Sequence, residues 1–359
     1  MRKLSSSSVR KITATQVDDF TKCSLKFSFT EPTEPTELPK SMGAIQHTNR
    51  GDSYTSHQQV GKVLHLAIEM LIKDEALDVD DAWQLAFDRI IGDREAVSEV
   101  SVSRNKKRLK RRIQNLREFI DNRAANSNPE IHAEKSLDWN DTRCKLSGKL
   151  DLLIVDSVST IIDHKKGSVV SDGVVEKKHR DQLAFYAHLV YENYDIDRVD
   201  CWLFSLKDGL VEVPLTCEDI VLFVEPLLAN IEDYNNRVPD EQPAMPSDEN
   251  CSWCPYCDRC EKFWIKIGSN GFNRLASGEA IAGTILGEIS IAKNGKSTFR
   301  VDAIEGTKSG EVILTEVPRR VLSNNELSEG DSIKAFHLHG SEDNEILTWD
   351  DRNSRLSRN

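Results

Sequence analysis

GKLDLLIVDSVSTIIDHKKG, residues 148–167, sets two apolar, β-prone runs around a short polar turn: Leu150–Val155, then Asp156-Ser157, then Thr160–Ile162. This pattern predicts a β-hairpin with a buried interior. Asp151 opens the first strand, Asp163 closes the second, and Lys165 follows two positions later. Residues i and i+2 of a strand share a face, so Asp163 and Lys165 point the same way. Two carboxylates and a lysine at one end of a sheet suit a divalent cation, and hard oxygen ligands suit Mg²⁺ or Mn²⁺. Asp-x-Lys alone is a common tripeptide and equally fits a solvated strand end. Its weight comes from the sequence around it.

Downstream, residues 176–193 predict an amphipathic helix on which Gln182 and Tyr186, four apart, share a face. Upstream, residues 58–76 predict a helix whose stripe is Val60, Leu64, Ile68, Leu71 and Ile72, with His65 beside it. A lone histidine there is ordinarily structural; it gains meaning only if it faces the carboxylates. Residues 131–139 alternate as a strand and contain Glu134, a candidate for a supporting contact. Further helices are predicted over 80–91, 104–122 and 217–236. Asp208-Gly209, between two apolar runs, predicts a tight hairpin turn. The helix over 104–122 carries RNKKRLKRR, seven basic residues from Arg104 to Arg112. That run suits either a solvated helix face or a surface that tracks a nucleic-acid backbone.

The chain has 359 residues, 38% hydrophobic and 30% charged, with a net charge of −12. That length suggests about two domains. No apolar run approaches the roughly 18 residues of a membrane span, and the first residues lack an apolar signal core. A cytoplasmic protein is expected. The acidic average disfavours a polyanion partner, but binding depends on local patches. Eight cysteines are present. Clustered cysteines in a cytosolic chain argue for metal rather than disulfides, and Cys251, Cys254, Cys257 and Cys260 are clustered. Cys144, Cys201 and Cys217 lie in or beside strand-like runs and are expected to be buried thiols. Cys23 falls in a short helix or turn after Thr15, Asp18 and Asp19, which suit a helix N-terminus. A Pro/Thr/Glu-rich loop is expected over 31–40.

In chain order the features are Cys23, His65, Gly148-x-x-Asp151, Asp163-x-Lys165, Gln182-x-x-x-Tyr186 and Cys251-x2-Cys254-x5-Cys260. This order resembles the RecB-type branch of the PD-(D/E)xK nuclease superfamily. Within it, the likeness is to the iron–sulfur members: the exonucleases of CRISPR adaptation and the nuclease domains of helicase–nucleases. It spans residues 12–265. The resemblance implies that His65, Asp151 and Asp163 bind Mg²⁺ or Mn²⁺ and that the backbone carbonyl of His164 completes the site. It further implies that Lys165 holds the attacking water or stabilises phosphate charge, and that Gln182 and Tyr186 position the strand. The family's motif reads Asp-x-Lys-Thr-Gly; here Lys166 stands in place of the threonine.

The same resemblance implies a [4Fe–4S] cluster on Cys23, Cys251, Cys254 and Cys260, clasping the two ends of the nuclease domain. Four thiolates suit either such a cluster or tetrahedral zinc. Spacing does not choose between them; the resemblance favours iron. Cys257 is extra, and the run of four from Cys251 to Cys260 could serve alone, leaving Cys23 free.

From Ala282 onward, short strand-like runs are separated by Gly, Asn and Ser, which suggests a small barrel. It resembles an OB-fold by strand count, and Phe299, Phe336 and Trp349 could stack bases or fill its core. Acidic stretches at Glu326–Glu329 and Glu342-Asp343 weaken the nucleic-acid reading, and protein docking is the rival.

The fold class expected is therefore α/β: a restriction-endonuclease-like core, a mixed sheet flanked by helices, with an OB-like C-terminal β-barrel. The domains expected are 1–268 for the nuclease with its cysteines, 276–350 for the barrel and 351–359 for a flexible tail. The function expected is metal-dependent hydrolysis of DNA, as a single-strand exonuclease in repair, recombination or defence. No Gly-x4-Gly-Lys-[Ser/Thr] run is present, so unwinding would need a helicase partner. The rivals are a non-catalytic binding module and a zinc-stabilised interaction protein.

Overall fold

The computed structural model of the protein describes residues 11–30, 56–74, 76–90, 99–124, 128–165, 167–237, 242–252, 254, 256–268, 278–292, 294–340, 345–350 and 354–358. The loop expected over 31–40, Lys166, the Glu342-Asp343 pair and the side chains of 104–109 lie outside them. The chain divides into two compact units. One holds Ser7–Thr21 and His47–Arg237; the other holds Met1–Ser6, Lys22–Gln46 and Val238–Asn359.

The first unit runs β1 (Lys11–Thr13), α1 (Ala14–Lys22), then, after α2 (Ser24–Thr30) of the other unit, α3 (Ser56–Lys73), α4 (Val79–Ile90) and α5 (Glu99–Ala124). Next come β2 (Glu130–Asn140), β3 (Lys145–Val155), β4 (Val158–Lys165), the two-residue strands β5 (Val170–Ser171) and β6 (Val174–Val175), and α6 (Lys177–Asn193). It ends with β7 (Arg198–Ser205), β8 (Gly209–Val213) and α7 (Cys217–Asn236). The sheet order is β1-β3-β4-β7-β8, with β2 also paired to β3. β1–β3 and β4–β7 are parallel and the other pairs antiparallel, so the sheet is mixed, as expected.

One edge of β3 is shared. β1 pairs with Lys145–Ser147 and β4 with Leu152–Ile154. Residues 148–151 between them have no strand partner on that edge among the described residues. The two apolar runs that predict the hairpin are buried on both faces of the sheet. Leu152, Ile162 and Phe204 are fully buried against Leu64, Ala67 and Ile68 of α3, Trp83 of α4 and Leu116 of α5. Burying each large aliphatic side chain is worth about 1.5–3 kcal/mol. α6 presents Leu183, Tyr186, Leu189 and Val190, all buried, and packs against β2, β3, β4 and β7.

Two local devices fix the approach to the site. Thr216 and Asp219 form a capping box that starts α7. At the β7–β8 hairpin, Gly209 takes φ +87°, and Asp208 accepts the amide of Val169 at 2.7 Å and the hydroxyl of Ser168 at 2.9 Å. The turn residue that the sequence marks thus anchors the chain that leaves β4.

In the second unit, Ser247 caps α8 (Asp248–Cys251), a 3-10 turn covers Cys257–Arg259, and α9 is Glu261–Gly268. Then follow β9 (Glu279–Ile291), β10 (Lys296–Gly306), β11 (Gly310–Pro318), α10 (Arg319–Asn324), β12 (Ser332–Leu338), β13 (Ile346–Thr348) and β14 (Arg355–Arg358). The sheet order is β13-β11-β10-β9-β12-β14. This is an open order rather than the closed barrel expected. The tail expected to be flexible supplies β14, which occupies the outer edge of β12. Among the described residues one isolated bridge, His339–Thr348, links the end of β12 to β13. Phe299, Phe336 and Trp349 are buried in the cores of this unit and offer no stacking platform. One of these cores joins Ala280, Ala282 and Phe336 to Phe263, Trp264 and Ile267 of α9 and to Cys251, Cys254 and Cys257.

Gly148 gives the packing of α6 on β3 a direct test. A Cβ there would lie 2.8 Å from Leu189 Cδ1 and 2.9 Å from Tyr186 Cε1, whereas one at Gly167 would meet nothing within 4 Å. Urea unfolding should show Gly148→Val destabilised by about 1–3 kcal/mol, and Gly167→Ala changed by less than about 0.5 kcal/mol. Equal effects would mean that α6 does not lie so close to β3.

Candidate active site

Asp151 stands where β3 loses its neighbour, and its carboxylate supplies the missing contact: Oδ2 accepts the backbone amide of His164 at 2.6 Å. Its other oxygen, Oδ1, lies 3.4 Å from Nδ1 of His65. His65 reaches the site from α3, whose apolar stripe fixes the helix on the sheet. The ring of His164 packs edge-on against His65, centroids 5.3 Å apart, and against Phe204 at 5.7 Å. His65, Asp151 and His164 each offer a ligand atom within 4.8 Å of the others, a geometry able to hold a metal ion.

Glu134 borders the same group. Its Oε1 is 3.9 Å from His65 Nδ1, and its other oxygen pairs with Lys149. The β2–β3 ladder includes Ala133–Leu152 and Lys135–Leu150 but no pair between Glu134 and Asp151. Glu134 sits there at φ +56°, in the left-handed region. Such a conformation in a non-glycine residue costs on the order of 1–3 kcal/mol and often marks a functional site.

On the α6 side, Lys165 Nζ lies 2.7 Å from Asp163 Oδ2 and donates a hydrogen bond of 2.7 Å to Gln182 Oε1. Asp163 is almost fully buried, and this ion pair is its charged partner. Gln182 Nε2 in turn donates to the hydroxyl of Tyr186 at 3.0 Å. Asp163 is not part of the His65–Asp151–His164 group.

Burial and charge tune these groups. Burial by itself would lower the pKa of His65, but the carboxylates of Asp151 and Glu134 outweigh it and raise it to about 9. Asp151 is pushed up by burial and pulled further down by His65 and His164, ending below its ordinary value. Asp163 is raised to about 6, by burial first, with Lys165 opposing. His164 is lowered to about 4, chiefly by burial. Burial pushes the Tyr186 hydroxyl up.

Both ring nitrogens of His164 are buried without a hydrogen-bond partner. Orphaned polar atoms are expensive in a protein interior and rare without a reason. A neutral imidazole beside an ionised carboxylate is a donor set that fits a divalent cation. The sequence draws attention to the carbonyl of His164; the structure adds its ring, which alternation turns toward α3 and His65. Glu134, expected only as a support, proves to be held in a strained backbone, which no sequence pattern signals.

The cysteines converge separately, in the second unit. Cys23, Cys251, Cys254, Cys257 and Cys260 all line one cavity of about 20 Å³. All are free thiols. Cys257 Sγ donates to the backbone carbonyl of Cys251 at 3.4 Å, and its pKa is pushed up by the neighbouring thiols of Cys251 and Cys254, with burial adding to them. The segment bearing Cys23 is tied in by Leu25 N to Pro243 O at 3.3 Å and by Asn250 Nδ2 to Lys22 O at 3.0 Å. Five convergent thiols fit a soft metal centre. Cys144 and Cys201 are buried as expected, but Cys217 is exposed. It opens α7, and its Sγ lies 3.5 Å from the Tyr191 hydroxyl.

A model of the PD-(D/E)XK nuclease superfamily matches residues 11–261. No curated protein matches the sequence. Among solved structures, SSO0001 is 15% identical, with 57% of this chain and 85% of that chain covered, at a TM-score of 0.25. A candidate exonuclease from Eubacterium rectale is 11% identical, with 73% of this chain and 92% of that chain covered, at a TM-score of 0.38. Both scores are low, and the family assignment rests on the sequence match. The chain belongs to the PD-(D/E)XK nuclease superfamily.

The strain at Glu134 is measurable. Glu134→Ala and Glu134→Gly both lose the contacts to His65 and Lys149, but only glycine relieves a positive φ. Urea unfolding should find Glu134→Gly the more stable of the two by about 1 kcal/mol. The reverse order would show that the backbone there is unstrained.

Proposed function

We propose that, as a PD-(D/E)XK nuclease, this protein is a metal-dependent deoxyribonuclease that degrades single strands from an end. The observation that carries the reading is Lys165, held between Asp163 and Gln182 beside the Asp151 group. In phosphodiester hydrolysis a water oxygen bonds to phosphorus and gives up a proton, the bond to one ester oxygen breaks, and the departing alkoxide takes up a proton to leave as the alcohol. A bound Mg²⁺ or Mn²⁺ supplies positive charge to the phosphoryl oxygens and makes a water more acidic.

Asp151, His65 and His164 are the groups placed to hold the ion, with Asp163 contributing from the lysine side. Lys165 has three hydrogens to donate; Asp163 and Gln182 fix its position, and its ammonium is placed to meet the negative charge that develops on the phosphoryl oxygens. Tyr186 orients Gln182 and so holds the lysine indirectly. Glu134 braces His65.

Cys23, Cys251, Cys254 and Cys260 are read as the ligands of a [4Fe–4S] cluster that joins α2 to the cysteine segment, with Cys257 beside them. Its role is structural, since such centres add their binding energy to folding. The preference for DNA, single strands, exonucleolytic action and a helicase or other protein partner rests on the resemblance to iron–sulfur nucleases. So does a place in repair, recombination or defence.

The test is digestion of 5′- and 3′-end-labelled single- and double-stranded DNA by anaerobically purified protein, with its iron and zinc measured. Wild type with Mg²⁺ or Mn²⁺ should shorten single strands progressively and carry iron. Lys165→Ala and Asp163→Ala should each lose at least about 10²-fold in rate. Intact DNA in every strand form, or full activity in Lys165→Ala, would overturn the catalytic reading; zinc in place of iron would overturn the cluster.

A further inference from the structure

We propose that the cavity between the N-terminal parts of α1 and α6 takes one unstacked nucleobase of a single-stranded nucleic acid, next to the phosphate held at Lys165. The inference rests on the nuclease reading and names how that site meets its substrate. The cavity measures about 190 Å³. At about 30 Å³ per water of liquid volume it has the room of about six waters, the scale of a single base.

Its chemistry suits a base better than a second phosphate. Ala14 and Val17 give it a buried apolar wall. Asp18, Asp181 and Lys178 stand around it, and the lysine is already paired with Glu176 at 2.6 Å. Asp181 is likewise paired with Lys177, so these pairs leave no cationic surplus for a phosphate, while the carboxylates can still accept hydrogen bonds from the N–H groups of a base edge.

His179 is the decisive lining residue. It is 9% exposed, and its ring has Lys165, Lys178 and Glu176 as Coulombic neighbours but no hydrogen-bond partner among the described residues. Burial first, then the two lysines, lowers its pKa to about 4, so at neutral pH it presents an uncharged ring. A neutral imidazole offers one donor, one acceptor and a face on which a base can stack. A base edge in the cavity would give that ring a hydrogen-bond partner.

Continuity with the site comes from Gln182. It lines the cavity and accepts the Lys165 hydrogen bond at 2.7 Å. A base in the cavity would therefore sit beside the phosphate that the lysine serves. A base in a duplex is stacked and paired and cannot enter without being extruded. The cavity thus supplies a physical reason for single-strand preference.

The test uses the full chain in EDTA, so that binding is read without hydrolysis. A single 2-aminopurine is placed at each position of a short single-stranded oligonucleotide in turn. One position should change its fluorescence on binding far more than its neighbours. Ala14→Leu, which fills the cavity, and His179→Leu, which removes its polar ring, should abolish that signal and weaken binding about tenfold. Thr15→Leu, at an exposed lining position, should do the same with an unchanged melting temperature, which separates loss of the site from loss of the fold. A uniform response along the strand, unchanged signal and affinity in Thr15→Leu, or no binding of single strands would overturn the inference. Digestion of end-labelled DNA by wild type decides the nuclease reading separately.

Discussion

Between the residues of β3 that pair with β1 and those that pair with β4, one strand edge has no neighbour among the described residues, and Asp151 Oδ2 bridges it by accepting the amide of His164. The contact does two things. It satisfies a backbone donor that the ladder no longer serves, and it fixes a carboxylate at the mouth of the gap. Everything in the site takes its place from that carboxylate. His65 and the His164 ring gather on its α3 side, while Asp163 and Lys165 lie on the strand that the gap holds apart from β3. A continuous ladder through residues 148–151 would leave no room for this arrangement.

The cost of the site is visible in the same residues. Asp163 and His164 are almost fully buried, Glu134 has a left-handed backbone, and His164 has two ring nitrogens without hydrogen-bond partners. Each feature opposes stability. The flanking packing offsets them: Leu64, Ile68, Leu152, Ile162 and Phe204 are fully or nearly fully buried on one face, and Leu183, Leu189 and Val190 on the other. A rigid apolar frame around a strained polar centre is the general pattern of preorganised catalytic groups.

Much of this is legible in the sequence. Two apolar runs around the polar turn at Asp156-Ser157 give the hairpin, and the helical stripe of α3 gives the element that carries His65. The i, i+4 spacing of Gln182 and Tyr186 puts them on one face, where they hydrogen-bond. What sequence cannot carry is long-range or conformational. The approach of His65 to the His164 ring depends on how α3 crosses the sheet, and the φ of Glu134 has no compositional signature. A short polar tail gives little strand signal in the sequence, yet 355–358 pair with β12. Phe299 and Phe336 fit core and stacking platform equally well in a list of residues; only burial separates the two. Cys217 looked like a strand thiol because the helix start that exposes it depends on the Thr216–Asp219 box.

The central claim is that the carboxylate at the strand gap organises a metal site. The most direct measurement is an anomalous difference map from crystals soaked in Mn²⁺, collected at the manganese edge. The account predicts a peak within about 2.2 Å of an Asp151 carboxylate oxygen, with at least one of His65, His164 and Asp163 completing its ligands. No manganese at Asp151, with density at other acidic groups instead, would contradict it.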